Sequence, residues 1–228
     1  MGLMAANEPA SGRPTPRARY RAQIREEIKT QALRQLAEAG PAGISVNAIG
    51  KELGVSGPAL YRYFSSRDDL LTELVIDAYT DLGTTVAAAV AATTSRAERA
   101  AFEAFVRAYR AWALAQPHRY QLLFGSPLPG YDANAERLVE ASQAAMDLLV
   151  KVLPVPGPET KPPQRLASEI ERWLAARGIV GDAATGHAAL RVWWRVHGFL
   201  SLEIAGSFAS MGLDPDALFE LELAALPQ

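Results

Sequence analysis

The sequence predicts an all-α protein: a three-helix helix-turn-helix unit at the N-terminus, then a larger helical body, about nine or ten helices altogether. Three observations predict it. Apolar residues recur at i, i+3, i+4 and i+7 over nearly the whole chain, with no run at the alternating strand period. The stretch SVNAIGKELGVSGPALYRYFSSRDDLL, from Ser45 to Leu71, reads as a short helix, a glycine turn, a second short helix and a capped third helix. Charge is divided: residues 1–69 hold ten Lys/Arg against seven Asp/Glu, net +3, and residues 70–228 hold thirteen against eighteen, net −5.

In chain order, residues 1–19 (MGLMAANEPASGRPTPRAR) are small, polar and proline-interrupted, and are expected to be a disordered basic arm. The helix-turn-helix domain is expected over 20–66 and the helical body over 67–228. The first helix, 20–39, carries Ile24, Ile28, Ala32 and Leu36 at i+4 spacing and stops at Gly40-Pro41. Ser45 caps the next, whose stripe is Val46, Ile49 and Leu53. Gly54 ends it, because glycine accepts the left-handed exit. Ser56 is the expected N-cap of the second short helix, with Leu60 and Phe64 pointing inward. Ser66-x-x-Asp69 is a capping box for a long helix reaching about residue 92.

Ser95-x-x-Glu98 reads as a second box. It precedes the aromatic stripe Phe102, Phe105, Tyr109 and Trp112, which Pro117 ends. A helix over 117–124 runs into GSPLPG, followed by a helix over 132–153 and a proline-rich link (Pro154, Pro156, Pro158, Pro162, Pro163). Helices are expected at 163–177, 183–206 and 214–225, the last opened by Asp214-Pro215.

The outward face of the second short helix is small and flat except for Arg62. Gly57, Pro58 and Ala59 allow close approach to base edges in a major groove. Tyr61, Tyr63 and Arg67 are placed to meet phosphates. Arg17 and Arg19 would extend the contact along the backbone or into the adjacent minor groove, unless the arm is only a solvated tail.

The segment resembles the N-terminal DNA-binding domain of the TetR family of bacterial transcriptional regulators. The matching residues are Ile28, Ala32, Gly40, Ser45, Ile49, Leu53-Gly54-Val55-Ser56, Leu60-Tyr61, Tyr63-Phe64, Ser66-Arg67 and Leu70-Leu71. Two residues depart from the family pattern. Gly50 stands where alanine is usual, which should weaken that helix by about 1 kcal/mol. Tyr63 stands where histidine is common. The resemblance also implies a phosphate contact for Ser45. Farther on, Trp194, His197 and Gly198 are similar to the Trp-x-x-His-Gly signature of one TetR subgroup, called WHG-type.

The resemblance implies a cytoplasmic bacterial repressor, on the nucleoid when bound to its operator. It also implies a homodimer whose last two helices pair with their copies. Val192, Val196 and Phe199 on one helix, and Leu218, Phe219 and Leu221 on the other, are the expected interface. The partners are then double-stranded DNA with a near-palindromic operator, a second copy, and a small apolar or aromatic ligand, which releases DNA. That ligand is expected among Phe105, Tyr109, Trp112, Tyr120, Phe124, Ser142, Met146, Trp194 and His197, with Arg110 a further polar candidate.

Composition bounds the alternatives. The chain has 228 residues, 49% of them hydrophobic, and no cysteine, so neither a disulfide nor a thiolate metal site is available. No cofactor, metal or membrane partner is expected. An enzyme would have to use His197 and Ser201 at i, i+4, but a mid-helix serine has no spare backbone N–H groups to stabilise an oxyanion. An architectural DNA binder with a filled core is the other reading, and a ligand-insensitive affinity would mark it.

Overall fold

Thr15 accepts a hydrogen bond from the Ala18 amide at 3.2 Å, and Pro16 occupies the first helical position, so helix α1 (Pro16–Ala39) starts earlier than its apolar pattern. The computed structural model describes residues 15–95, 97, 99–125, 136–154 and 161–227. Arg17 and Arg19 are therefore helical and exposed, contrary to the disordered arm expected there. The rest of that arm, residues 1–14, lies outside the described residues. Helices fill the described residues, with one short 3-10 turn and no strand. The chain divides into two compact units, Met1–Leu71 and Thr72–Gln228.

In the first unit, α1 ends at Gly40, the 3-10 turn Pro41–Gly43 follows, and then α2 (Val46–Glu52), α3 (Gly57–Leu60) and the start of α4 (Arg67–Ala91). Its core is the set of apolar positions expected from periodicity: Ile28, Ala32, Leu36, Ile49, Leu60, Phe64 and Leu70, each no more than 2% exposed, with Ile44 added by the loop. Ser66 Oγ accepts from the Asp69 amide at 3.0 Å, so the capping serine is as expected. Asp69, however, returns its bond to the Ser65 amide at 2.7 Å rather than to Ser66. Helix α4 is long and apolar enough to cross a bilayer by composition alone. Its stripe Leu70, Leu74, Ala78, Leu82 and Val86 is buried inside the protein, and Asp68, Asp69, Glu73, Asp77 and Asp81 punctuate its sequence.

In the second unit the remaining helices are α5 (Ala100–Ala115), α6 (Pro117–Phe124), α7 (Glu136–Val152), α8 (Gln164–Ala176), α9 (Ala183–Ile204), α10 (Ser207–Ser210) and α11 (Pro215–Ala225). Helix α10 was not expected; it follows Gly206, at φ 72°, where the helix expected over 183–206 ends. The expected Ser95 box does not cap α5. That helix begins at Ala100, Ser95 Oγ accepts from the Ala97 amide, and Glu98 lies outside the described residues. The GSPLPG turn beyond Gly125 and much of the proline-rich link also lie outside them.

The aromatic stripe of α5 is buried as a stripe: Phe102, Phe105, Tyr109 and Trp112 are all 5% exposed or less. Ion pairs tie α5 to α9 and α11. Arg110 bonds Glu203 and Asp216 while its guanidinium lies 4.5 Å from the Phe219 ring centroid, so it is committed to structure and does not orient a ligand. Arg99 donates to the carbonyls of Leu223, Leu226 and Pro227, satisfying acceptors that the end of α11 leaves open.

Candidate nucleic-acid interface and internal cavity

The turn between α2 and α3 is shaped by two glycines. Gly54, at φ 65°, makes the left-handed exit from α2. Gly50 is buried, and a Cβ there would lie 2.8 Å from both Leu60 Cδ1 and the Val55 carbonyl oxygen. It is a close-approach residue, not merely a weak helix former. Ser45 caps α2 by accepting from the Ala48 amide at 3.3 Å, and its own amide donates to Gln35 Oε1. Ser56 stands at the N-cap of α3 with extended backbone, but its side chain makes no capping bond, unlike the expectation.

Helix α3 is a single turn, continued by the bonded turn through Phe64. Leu60 and Phe64 are buried. Tyr61 is 49% exposed, and Arg62 and Pro58 are exposed, while Gly57, Ala59 and Tyr63 are half-buried. The outward face therefore presents Pro58, Tyr61 and Arg62, with Ala59 and Gly57 recessed behind them.

Two arginines of α1 hold this turn. Arg21 Nη2 donates to the Arg62 carbonyl at 3.1 Å, and Arg25 Nη1 donates to the Tyr63 carbonyl while its guanidinium sits 4.2 Å from the Phe64 ring centroid. Both were missed as positioning residues, because nothing in their spacing separates them from solvated helix arginines. Arg67 has a structural duty too. Its Nε donates to the Ile44 carbonyl at 3.0 Å and its Nη2 to the Pro41 carbonyl at 2.7 Å, so most of its donors are turned toward its own unit.

The second unit contains a partly open cavity of about 280 Å³. Phe105, Tyr109, Phe124, Ser142, Met146 and His197 line it, as do Tyr79, Trp173, Arg177 and Trp193, which the sequence did not mark. Three expected ligand residues lie elsewhere. Trp112 is buried in the core, its indole N–H donating to Asp81 at 2.9 Å. Tyr120 stands behind His197, and Trp194 is 49% exposed on the opposite side of α9 from Val192 and Val196. One residue step turns a helix by about 100°, so the neighbour Trp193, and not Trp194, reaches the wall.

His197 is bonded on both ring nitrogens: Tyr109 OH lies 2.9 Å from Nε2 and Tyr120 OH lies 3.0 Å from Nδ1. The rings of Phe124 and Trp193 pack on it at 4.2 and 4.8 Å between centroids. Burial pulls its pKa down to about 4 and pushes the Tyr109 and Tyr120 hydroxyls up. Tyr120 OH also lies 3.2 Å from Ser201 Oγ, placing a tyrosine between the two residues a hydrolytic relay would need adjacent.

The expected interface residues divide as well. Val192, Val196 and Phe219 are buried within the chain's own core at 1%, 7% and 4% exposure and cannot form an outer surface. Phe199 and Leu218 are half-buried around a shallow apolar recess with Phe208 and Leu221, and Leu221 is 70% exposed. The outer stripe of α9 is Trp194, Gly198 and Leu202, at i, i+4 and i+8.

Comparison with known proteins gives concordant results. Residues 28–74 match the family profile described as bacterial regulatory proteins, tetR family, and residues 102–226 match tetracyclin repressor-like, C-terminal domain. The HTH-type transcriptional regulator Rv1816 of Mycobacterium tuberculosis (strain ATCC 25618 / H37Rv) is 36% identical over 214 residues, covering 90% of this chain and 92% of that protein. The crystal structure of SCO4313 is 40% identical, with a TM-score of 0.78 over 93% of this chain and 98% of that one. A structure of a protein with unknown function from Rhodococcus sp. RHA1 is 25% identical, with a TM-score of 0.65 over 97% of this chain and 100% of that one.

Proposed function

The chain belongs to the TetR family of bacterial regulatory proteins, and from that premise we propose that it is a repressor released from a near-palindromic operator by a small apolar or aromatic molecule. It is a helix-turn-helix transcriptional regulator, a non-enzymatic class. The observation that carries the finer reading is the exposed, arginine-tipped face of α3, braced by Arg21 and Arg25, in a chain whose second unit holds an apolar cavity.

On DNA, Arg62 reads base edges and Gly57, Pro58 and Ala59 let the backbone approach them. Ser45, Tyr61 and Tyr63 meet phosphates, with Arg17 and Arg19 at the start of α1 adding cations to the contact. Arg67 serves the same surface mainly by holding the loop before α2. Two copies pair through the outer faces of α9 and α11, using Trp194, Leu202, Phe199, Leu218 and Leu221. Two readers about 34–36 Å apart then match one DNA turn. Ligand and operator select different conformations of the dimer, and α4, continuous through the Leu71/Thr72 boundary, is the element through which they compete. The protein works in the bacterial cytoplasm, where its operator lies.

Selecting bound fragments from a random duplex pool tests the reading. A near-palindromic consensus is expected, with affinity that falls steeply with salt. Arg62→Ala is expected to lose selectivity by about 1–3 kcal/mol at its base position, whereas Tyr61→Phe weakens every duplex alike. Equal loss on operator and random DNA for Arg62→Ala would remove α3 as the reader. A screen of small apolar compounds against the operator complex then tests release.

A further inference from the structure

The polar side chains of the cavity wall fall into two groups. Tyr109 and His197 are engaged with each other, and His197 also with Tyr120; Ser142 and Tyr79 have partners of their own. Arg177 differs. Its Nε donates to Asp147 Oδ1 at 3.2 Å, and its guanidinium carbon lies 4.9 Å from the Trp173 ring centroid. Its side chain is only 13% exposed. Among the described residues no hydrogen bond engages its Nη1 or Nη2 atoms. A guanidinium is forked and carries its strongest contacts as two parallel N–H donors to two coplanar oxygens. Here that end-on edge remains for an acceptor, in a wall that is otherwise mostly apolar and aromatic and whose serine, histidine and tyrosines have partners.

We propose that the cavity receives an amphipathic monocarboxylate, its apolar body among Phe105, Phe124, Met146, Leu149 and Trp193 and its carboxylate on the Nη1/Nη2 edge of Arg177. This rests on the reading of the second unit as the ligand-responsive part and gives that ligand its chemical class. Because Asp147 already shares that cation on its Nε side, a group with one negative charge is favoured over one with two. A doubly charged phosphate would bring two charges to one shared guanidinium. The volume, about 280 Å³, lies near the small end of ligand pockets and suits a medium-length chain or one to two rings.

The test uses the full chain and two matched probe pairs, decanoate with decanol and phenylbutanoate with phenylbutanol, followed by calorimetry and by quenching of tryptophan fluorescence. At least one acid is expected to bind roughly tenfold or more tighter than its alcohol near neutral pH. Arg177→Gln should abolish that preference, and Arg177→Lys, which keeps the charge without the fork, should retain only part of it. Melting curves without probe establish that each variant folds; if Arg177→Gln does not, the partial loss in Arg177→Lys decides. Alcohols binding as tightly as their acids, or a preference that survives in a folded Arg177→Gln, overturns the carboxylate assignment and leaves the cavity reading standing. Binding by none of the four probes also overturns it, and the cavity reading falls with it only if the wider screen of neutral compounds releases no operator DNA.

Discussion

Bonded at both ring nitrogens and packed between aromatic rings, His197 is neutral at pH 7, its pKa drawn down to about 4 by burial. In the unfolded chain it returns to about 6.5, so between these two values the unfolded state binds a proton that the native state refuses. Stability contributed by this residue is whole above about pH 6.5 and is lost progressively down to pH 4, a total of about 3 kcal/mol. Urea denaturation at about pH 7 and about pH 4.5 should show the loss, and His197→Gln should flatten it. An unchanged slope in the variant would mean that other groups carry the acid sensitivity. Arg67 illustrates a different lesson at this scale. Family resemblance implies a phosphate contact, yet its bonds to the Ile44 and Pro41 carbonyls make Arg67→Ala a stability change of about 1–3 kcal/mol, detectable by melting without DNA.

At the scale of elements, α2 and α3 meet through a glycine. By helix propensity alone Gly50→Ala gains about 1 kcal/mol, but the new methyl would stand 2.8 Å from the Val55 carbonyl, which is backbone and cannot swing away. We expect net destabilisation of about 1–2 kcal/mol and a larger proportional loss of operator affinity, since the strain falls on the turn that aims α3. A higher melting temperature in Gly50→Ala would refute the close-approach account. Helix α9 shows what periodicity conveys and what it omits. Its apolar residues are legible as helical, but two apolar stripes share the helix. Val192, Val196 and Leu200 go to the core; Trp194 and Leu202 go outward. Only packing against α5, α7 and α8 decides which is which. The same is true of α11, where Phe219 and Leu223 are buried and Leu221 is exposed.

For the whole molecule, the exposed apolar side chains on α9 and α11 are the surface proposed above to pair with a second copy. Leu221→Asp places a charge at the most exposed of them without disturbing the inner stripe. The variant is expected to be a folded monomer by light scattering at micromolar concentration, and to lose affinity for a two-half-site operator far more than for a single half-site. A Leu221→Asp protein that stayed dimeric would move the interface elsewhere. One that was wild-type in mass and in DNA binding would end the two-reader geometry through α11.

What the residues determined on their own is whatever is local in sequence. Helix positions, the Ser45 and Ser66 caps, the Gly54 exit and the core of the first unit depend on spacings of three and four residues, and these are readable from one chain. The exposure of Arg62 and Tyr61 was legible for the same reason, since Leu60 and Phe64 point inward and leave their neighbours outside. What only tertiary structure decided are relations between residues far apart in sequence. Arg21 and Arg25 reach a turn some forty positions away, Arg110 joins Glu203 and Asp216, and Arg177 and Trp193 enter the cavity wall in place of Trp112 and Trp194. Periodicity tells a helix which residues share a face, but the identity of the neighbour that face meets depends on how whole helices stack, and no short spacing encodes that.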